Sequence, residues 1–190
     1  MTDAFDVLAE DHQEVKQMLA ELAQGPTAAD GASEDQLQLR KNMTQQLIIE
    51  ESRHEAAEEM YFWPAVREHL PEGDAVALEA TGQEQEVKEV LARLDKLDAT
   101  DPEFEQLLSS FTAAALEHIA FEETRAWPGL RAALTAEEAS ELGDALTKAK
   151  SSGPTRPHPN TPASPGALKT AGPAVGLADK ARDKITGRGD

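Results

Sequence analysis

Large apolar residues recur early in the chain at spacings of three and four: Phe5, Leu8, Val15, Leu19 and Leu22, with His12 in the same stripe. A period near 3.6 predicts an amphipathic helix. Thr2 or Asp3 can cap its start, and Gly25-Pro26 ends it. Residues 26–33 are small and polar and read as a loop. Ser33 with Gln36 forms a capping box for a second helix through Leu37, Met43, Leu47, Glu51, His54, Glu58 and Tyr61. Pro64 should kink or break that helix near its end, and Pro71-Glu72-Gly73 closes the segment. A third helix is predicted from near Asp74 to about Leu97, with Val87, Val90, Leu91 and Leu94 as its apolar face. Asp101, followed by Pro102 at the first helical position, opens a fourth through Leu107, Phe111, His118 and Glu122 to Pro128. Thr135 with Glu138 makes another capping box, for a short fifth helix ending near Lys150. No strand-like alternation interrupts the series, so the fold class is all-α: an up-down-up-down four-helix bundle with a short fifth helix.

The pattern repeats itself. The segment from Asp11 to Leu22 matches that from Gln83 to Leu94, and the second helix matches the fourth. His54 and Glu58 are followed by Trp63-Pro64 and Arg67; His118 and Glu122 are followed by Trp127-Pro128 and Arg131 at the same offsets. The bundle is therefore two helical hairpins of common design.

Composition divides the chain unevenly. Residues 1–150 carry 12 Lys+Arg against 33 Asp+Glu, whereas residues 151–190 carry 6 against 3. We read 1–150 as the bundle and 151–190 as a Pro-rich, disordered tail with a weak basic amphipathic segment over 174–187. Within 174–187 only Val175, Leu177 and Ile185 are large and apolar, which is thin support for a helix. So acidic a body repels phosphates and anionic surfaces, so neither nucleic acid nor membrane is expected as a partner. The chain has no cysteine, which excludes disulfides, thiolate metal sites and cysteine nucleophiles. Without a long apolar run or a basic-then-apolar leader, a soluble, cytoplasmic protein is expected.

Chemistry concentrates at the repeat. Residues four apart share a helix face, so each His-x-x-x-Glu presents an imidazole and a carboxylate together. In an acidic chain one such motif more often marks a solvated Glu beside a helical His; two at equivalent places in duplicated hairpins say more. His12 lies on an apolar stripe, as a core histidine can, and its counterpart in the second hairpin is Glu84. A carboxylate on such a stripe needs a partner, either a Lys or Arg or a metal cation, because an unpaired buried charge costs several kcal/mol. His12, His54, Glu58, Glu84, His118 and Glu122 come from all four helices at one level. Imidazole and carboxylate donors without thiolates suit iron, manganese or zinc. Of the rest, His69 reads as a partner of a helix C-terminus and His158 as solvated between prolines. Glu50, Glu51, Glu59 and Glu123 read as surface charges, with Glu51 near enough to His54 to support it. Tyr61 is a hydrogen-bond donor to the site or a core residue, and Trp63 and Trp127 plug the bundle end.

A His on helix one, with His-x-x-x-Glu on helices two and four, resembles the hemerythrin-like (HHE cation-binding) proteins over about residues 3–134. The resemblance implies a non-haem di-iron centre with an oxo or hydroxo bridge. His12 and His54 would be terminal ligands of one iron, His118 and the helix-three residue would serve the other, and Glu58 and Glu122 would bridge. It also implies reaction with dioxygen, nitric oxide or hydrogen peroxide, in oxidative stress, sensing or iron handling. A catalase-like or peroxidatic activity is one form of this. The family's helix-three histidine is Glu84 here, and the further histidine of oxygen carriers is Lys88. A ligand-poor, open second iron with an anionic donor is expected from that, which argues against reversible oxygen carriage. The competing reading is a metal-free bundle serving as a structural or interaction module.

Overall fold

The computed structural model describes residues 2–161 and 165–188. Its helices are α1 (Ala4–Gln24), α2 (Glu34–Ala57), α3 (Trp63–His69), α4 (Gly73–Leu94), α5 (Phe104–Phe121), α6 (Trp127–Ala133), α7 (Ala136–Ser152) and α8 (Pro165–Thr186). Among the described residues there is no strand. None of their helices is long and apolar enough to cross a membrane.

Local chemistry sets the helix ends. Asp3, not Thr2, caps α1: it accepts from the Phe5 and Asp6 N–H groups, and Asp6 accepts in return from Asp3 N–H. The boxes Ser33/Gln36 and Thr135/Glu138 are reciprocal in the same way. Asp101 does something else: its carboxylate accepts from Asp98 N–H at 2.7 Å and closes a turn, so α5 begins only at Phe104. Arg40 caps α1 from outside, donating to the Leu22 carbonyl at 2.6 Å while its other nitrogens grip Glu105. Lys41 does the same for the end of α4, donating to the Asp95 carbonyl at 2.9 Å.

Neither Pro64 nor Pro128 breaks its helix. Each is preceded by one wide π turn, Glu58–Phe62 and Glu122–Ala126, after which the chain continues as α3 or α6. Trp63 N–H reaches back five residues to the Glu58 carbonyl, and Trp127 N–H to that of Glu122. The proline that follows has no N–H to give, and the wider ladder absorbs the loss.

α1, α2, α4 and α5 form the bundle, and its interior is split in two. Val15, Leu19, Leu47, Ile48, Leu91, Phe104 and Phe111 fill one half. Phe5, Leu8, Phe62, Trp63, Val66, Val76 and Leu130 fill the other. The His–Glu layer lies between them.

α7 packs across α1 and α2 and so covers their outer side. Gly143 permits this approach: a Cβ there would lie 2.9 Å from the Asp3 carbonyl carbon. The C-terminal half of α2 is enclosed on all sides, with Ile49, Glu51, Ser52 and Glu55 all buried, whereas its first turns stay exposed.

Beyond Ser152 the described residues are not the disordered tail expected; residues 162–164 lie outside the description. α8 packs on α7 and on the first π turn. The expectation looked for large apolar anchors, yet Leu177 and Ile185 are 70% and 86% exposed. Polar ties do the work instead. Arg156 pairs with Asp183 at 2.7 Å and Asp95 at 3.3 Å, and Arg188 with Asp95 at 2.6 Å. Thr155 N–H donates to Asp179, and the Thr155 hydroxyl to Asp183. Gly176 sits so close to α7 that a Cβ would lie 2.2 Å from the Ser152 carbonyl oxygen.

Candidate metal centre

His12 comes from α1, His54 from α2, Glu84 from α4 and His118 from α5, while Glu58 and Glu122 each open a π turn. All six are buried, and Glu58, Glu84 and Glu122 are fully enclosed. The imidazole Nε2 atoms point inward at the carboxylates. His12 Nε2 lies 2.9 Å from Glu122, His54 Nε2 lies 3.2 Å from Glu58, and His118 Nε2 lies 3.2 Å from Glu122 and 3.9 Å from Glu84. Two groups of donor atoms result, each within 4.8 Å: His12, His54, Glu58 and Glu122; and Glu58, Glu84, His118 and Glu122. Glu58 and Glu122 belong to both.

The π turns matter for this placement. In a regular α-helix residues five apart are separated by roughly 140° around the axis. With the turn widened to an i, i+5 period, Glu58 and Trp63 both face the interior, and so do Glu122 and Trp127. The tryptophans then reach across to the other hairpin. Trp63 Nε1 donates to Glu84. Trp127 stacks on His12, with ring centroids 5.0 Å apart and planes at 15°. They line the centre rather than plug the bundle end.

The outer nitrogens of the three histidines are all engaged: His54 Nδ1 with Asp11 at 3.2 Å, His118 Nδ1 with Gln83 at 2.9 Å, and His12 Nδ1 with Glu123 at 3.0 Å. A proton held on Nδ1 by an oxygen acceptor leaves the Nε2 lone pair for the interior. Asp11 and Gln83 immediately precede His12 and Glu84 in the two hairpins. The sequence reading passed over them, although the repeat aligns them. Lys16 pairs with Glu123 at 2.8 Å and Lys88 with Glu59 at 2.7 Å, again repeat-equivalent pairs.

Charges within the cluster interact strongly. Burial opposes the His54 imidazolium, but Glu58 and Asp11 outweigh it and set its pKa well above the ordinary value. His118 is pushed up to about 9: burial opposes the charge, and Glu122 and Glu84 prevail. Burial, with repulsion from Glu58 and Glu59, raises Glu84 well above the carboxylate range. Glu122 goes down, because His118 and His12 overcome its desolvation. Even so, the contacts are poorly directed: His12 and His118 Nε2 approach Glu122 at 2.9 and 3.2 Å without hydrogen-bond alignment, and both oxygens of Glu58 and Glu122 and one of Glu84 are buried without an aligned donor. Such orphaned donors of imidazole and carboxylate type fit iron, manganese or zinc.

Several expectations need correction. Glu59 and Glu51 are buried rather than surface charges. Glu123 holds His12. His158 is not simply solvated, since its Nε2 lies 2.8 Å from Asp179. Of the two readings of Tyr61, core packing holds, with the Lys169 amine 4.6 Å over its ring. The second group is not poorer than the first: each has four residues, and the contrast is one of donor type. Lys88 is held by Glu59.

A layer of three imidazoles and three carboxylates across a four-helix bundle defines a metal-binding helical bundle. The chain belongs to the hemerythrin HHE cation binding domain family, whose model matches residues 3–130. An uncharacterized hemerythrin-like protein of Schizosaccharomyces pombe is 29% identical over 141 residues, 74% of this chain and 70% of its own length. A DNA nickase of Nostoc is 25% identical over 146 residues; the match takes in 77% of this chain and 38% of that protein. The fold is shared with an HHE cation binding domain-containing protein of Mycobacterium kansasii, with a TM-score of 0.65 and 23% identity. That match covers 80% of this chain and 86% of the other.

Proposed function

We propose that the six residues hold a pair of iron ions with which a small ligand, dioxygen, nitric oxide or hydrogen peroxide, binds or reacts. His12 and His54 serve one ion, Glu84 and His118 the other, and Glu58 and Glu122 are shared. The observation that carries this reading is the set of buried, orphaned donor atoms in two groups with two residues in common. Paired only through misaligned contacts among themselves, such buried atoms recover little of their desolvation cost, about 1–3 kcal/mol for each that stays unsatisfied. That cost weighs against the competing metal-free structural module.

Bound iron would supply redox chemistry toward the ligand. The chain's own part is to fix and isolate. Asp11, Gln83 and Glu123 hold the imidazoles, Trp63 orients Glu84, and the two apolar cores keep bulk water away. Glu84, where a histidine would be neutral, adds a negative charge that favours the higher oxidation state of an adjacent ion. This supports a role in peroxide or oxygen chemistry, sensing or iron handling over reversible oxygen carriage. The acidic body weighs against nucleic-acid or anionic-membrane partners. The nickase relative is matched over 38% of its length, so its activity is not carried over.

The experiment is steady oxygen release from added hydrogen peroxide by the iron-loaded protein, compared with His118→Ala. Release that His118→Ala abolishes supports the peroxidatic form. Equal release by both proteins contradicts it.

A further inference from the structure

Two cavities flank α2 near the centre. The inner one, about 10 Å³, touches the rings of His12, His54 and His118 and is closed by Val15, Val87 and Ala115. The outer one, about 40 Å³, lies between Ser52 and Met60 on one side, Lys88 on another, and Arg156, His158 and Val175 above. Glu55 lines both. Its side chain is 2% exposed, and its Oε2 is buried without a hydrogen-bond partner. One water needs roughly 10–15 Å³ measured this way, so the inner cavity admits one water-sized molecule and the outer a few.

We infer that small ligands reach the centre through the chamber beneath the C-terminal segment, with Glu55 as the gate between chamber and histidines. This rests on the proposed function for what waits at the inner end; the route itself is a property of the apoprotein. The ligand class follows from size and lining. A molecule of two heavy atoms fits the outer cavity, and the inner one, sized for a single water, takes it only when the Glu55 side chain moves aside; the cost of desolvating a charge favours a neutral molecule over an anion. Lys88, Glu59 and His158 give the outer chamber hydrogen-bond partners suited to a peroxide. The roof lies outside the family model, whose match ends at residue 130, before Arg156, His158 and Val175. The Arg156–Asp95 ion pair ties it to the end of α4, and the pairs of Arg156 with Asp183 and of His158 with Asp179 join its two parts. Gly172 borders the chamber, and a Cβ there would meet Met60 Sδ at 3.7 Å, so a larger side chain grows into the space.

The test uses Gly172→Phe to fill the chamber, Val175→Phe as a second filling variant, and Glu55→Ala to join the cavities. Nitric oxide association with the iron-loaded protein is followed by stopped-flow absorbance, with iron content measured alongside. In the metal-free protein carrying Trp127→Phe, the remaining tryptophan is Trp63, whose ring centroid lies 6.4 Å from that of His118 at the wall of the inner cavity, so quenching of its emission by dissolved oxygen reads arrival there. Filling should slow both processes, association by about tenfold, and Glu55→Ala should speed both by about threefold. A filling variant that throws off the roof, seen as lost hydrogen-exchange protection of α8, should instead speed both. Rates unchanged in all variants would overturn the route even with iron bound. Failure to bind iron would count against the proposed function, and the quenching series would then decide the route alone.

Discussion

Trp63 and Trp127 occupy equivalent places in the two hairpins but do different things, and that difference makes a sharp prediction. Trp63 is fully buried and donates its indole N–H to the enclosed Glu84 carboxyl group. Trp127 is half-buried, stacks on His12, and its Nε1 has no partner. Trp63→Phe leaves a buried carboxyl oxygen unpaired, costing about 1–3 kcal/mol. It also opens a small void in a site with no solvent to collapse from, adding about 1 kcal/mol. The sum of roughly 2–4 kcal/mol, at about 2–4 °C per kcal/mol for a chain of this size, gives a fall in Tm of roughly 5–15 °C. Trp127→Phe removes an unpaired donor and a partly exposed ring edge, so its cost should stay near 1 kcal/mol. The assay is thermal unfolding of both metal-free variants by circular dichroism, followed by competition for iron against a chelator. Trp63→Phe should also weaken iron binding about 10–100-fold, as loss of a group that orients a ligand does. A Tm loss for Trp63→Phe no larger than that for Trp127→Phe would refute the reasoning.

Asp11→Ala frees the Nδ1 of His54 and should weaken iron binding about 10–100-fold with the helical content kept. Chelator competition measures it, and unchanged affinity removes Asp11 from the site. Gly176→Ala places a Cβ against the Ser152 carbonyl, so α8 should lose its hydrogen-exchange protection while the bundle's melting changes little. Burial alone would raise the Asp179 pKa, but His158, the Thr155 N–H and Arg156 hold it below its ordinary 3.8. Its contribution to docking is therefore complete above the unfolded pKa and lost as pH falls through the lower folded value. Exchange protection of α8 should fall on acidification below about pH 3.8. Asp179→Asn should already be weakened at neutral pH.

The bundle was legible because helix periodicity, capping boxes and the internal repeat all point the same way. The convergence of His12 and Glu84 with the two His-x-x-x-Glu pairs was legible for the same reason: repeat-equivalent residues of a duplicated hairpin meet at one level. What escaped was set by tertiary context. Glu59 looked like a solvated charge because an ordinary bundle leaves the outer face of a helix wet, whereas the C-terminal segment covers that face here, and Glu51 turns inward beside the three imidazoles. The tail looked unable to pack because apolar anchors were sought, while Arg156, Arg188 and the small Gly176 dock it by other means. The π turns had a signal, Glu-x-x-x-x-Trp-Pro occurring twice, but a proline was read as a break rather than a widened turn. Asp11 and Gln83 were visible in the aligned repeat, and only the question of what fixes each imidazole would have singled them out.

The most direct test of the centre is the iron content of the protein after reconstitution, read with its near-ultraviolet spectrum. The account predicts about two ions per chain with charge-transfer bands in that region. Fewer than about one ion per chain, unchanged by further reconstitution, would contradict it.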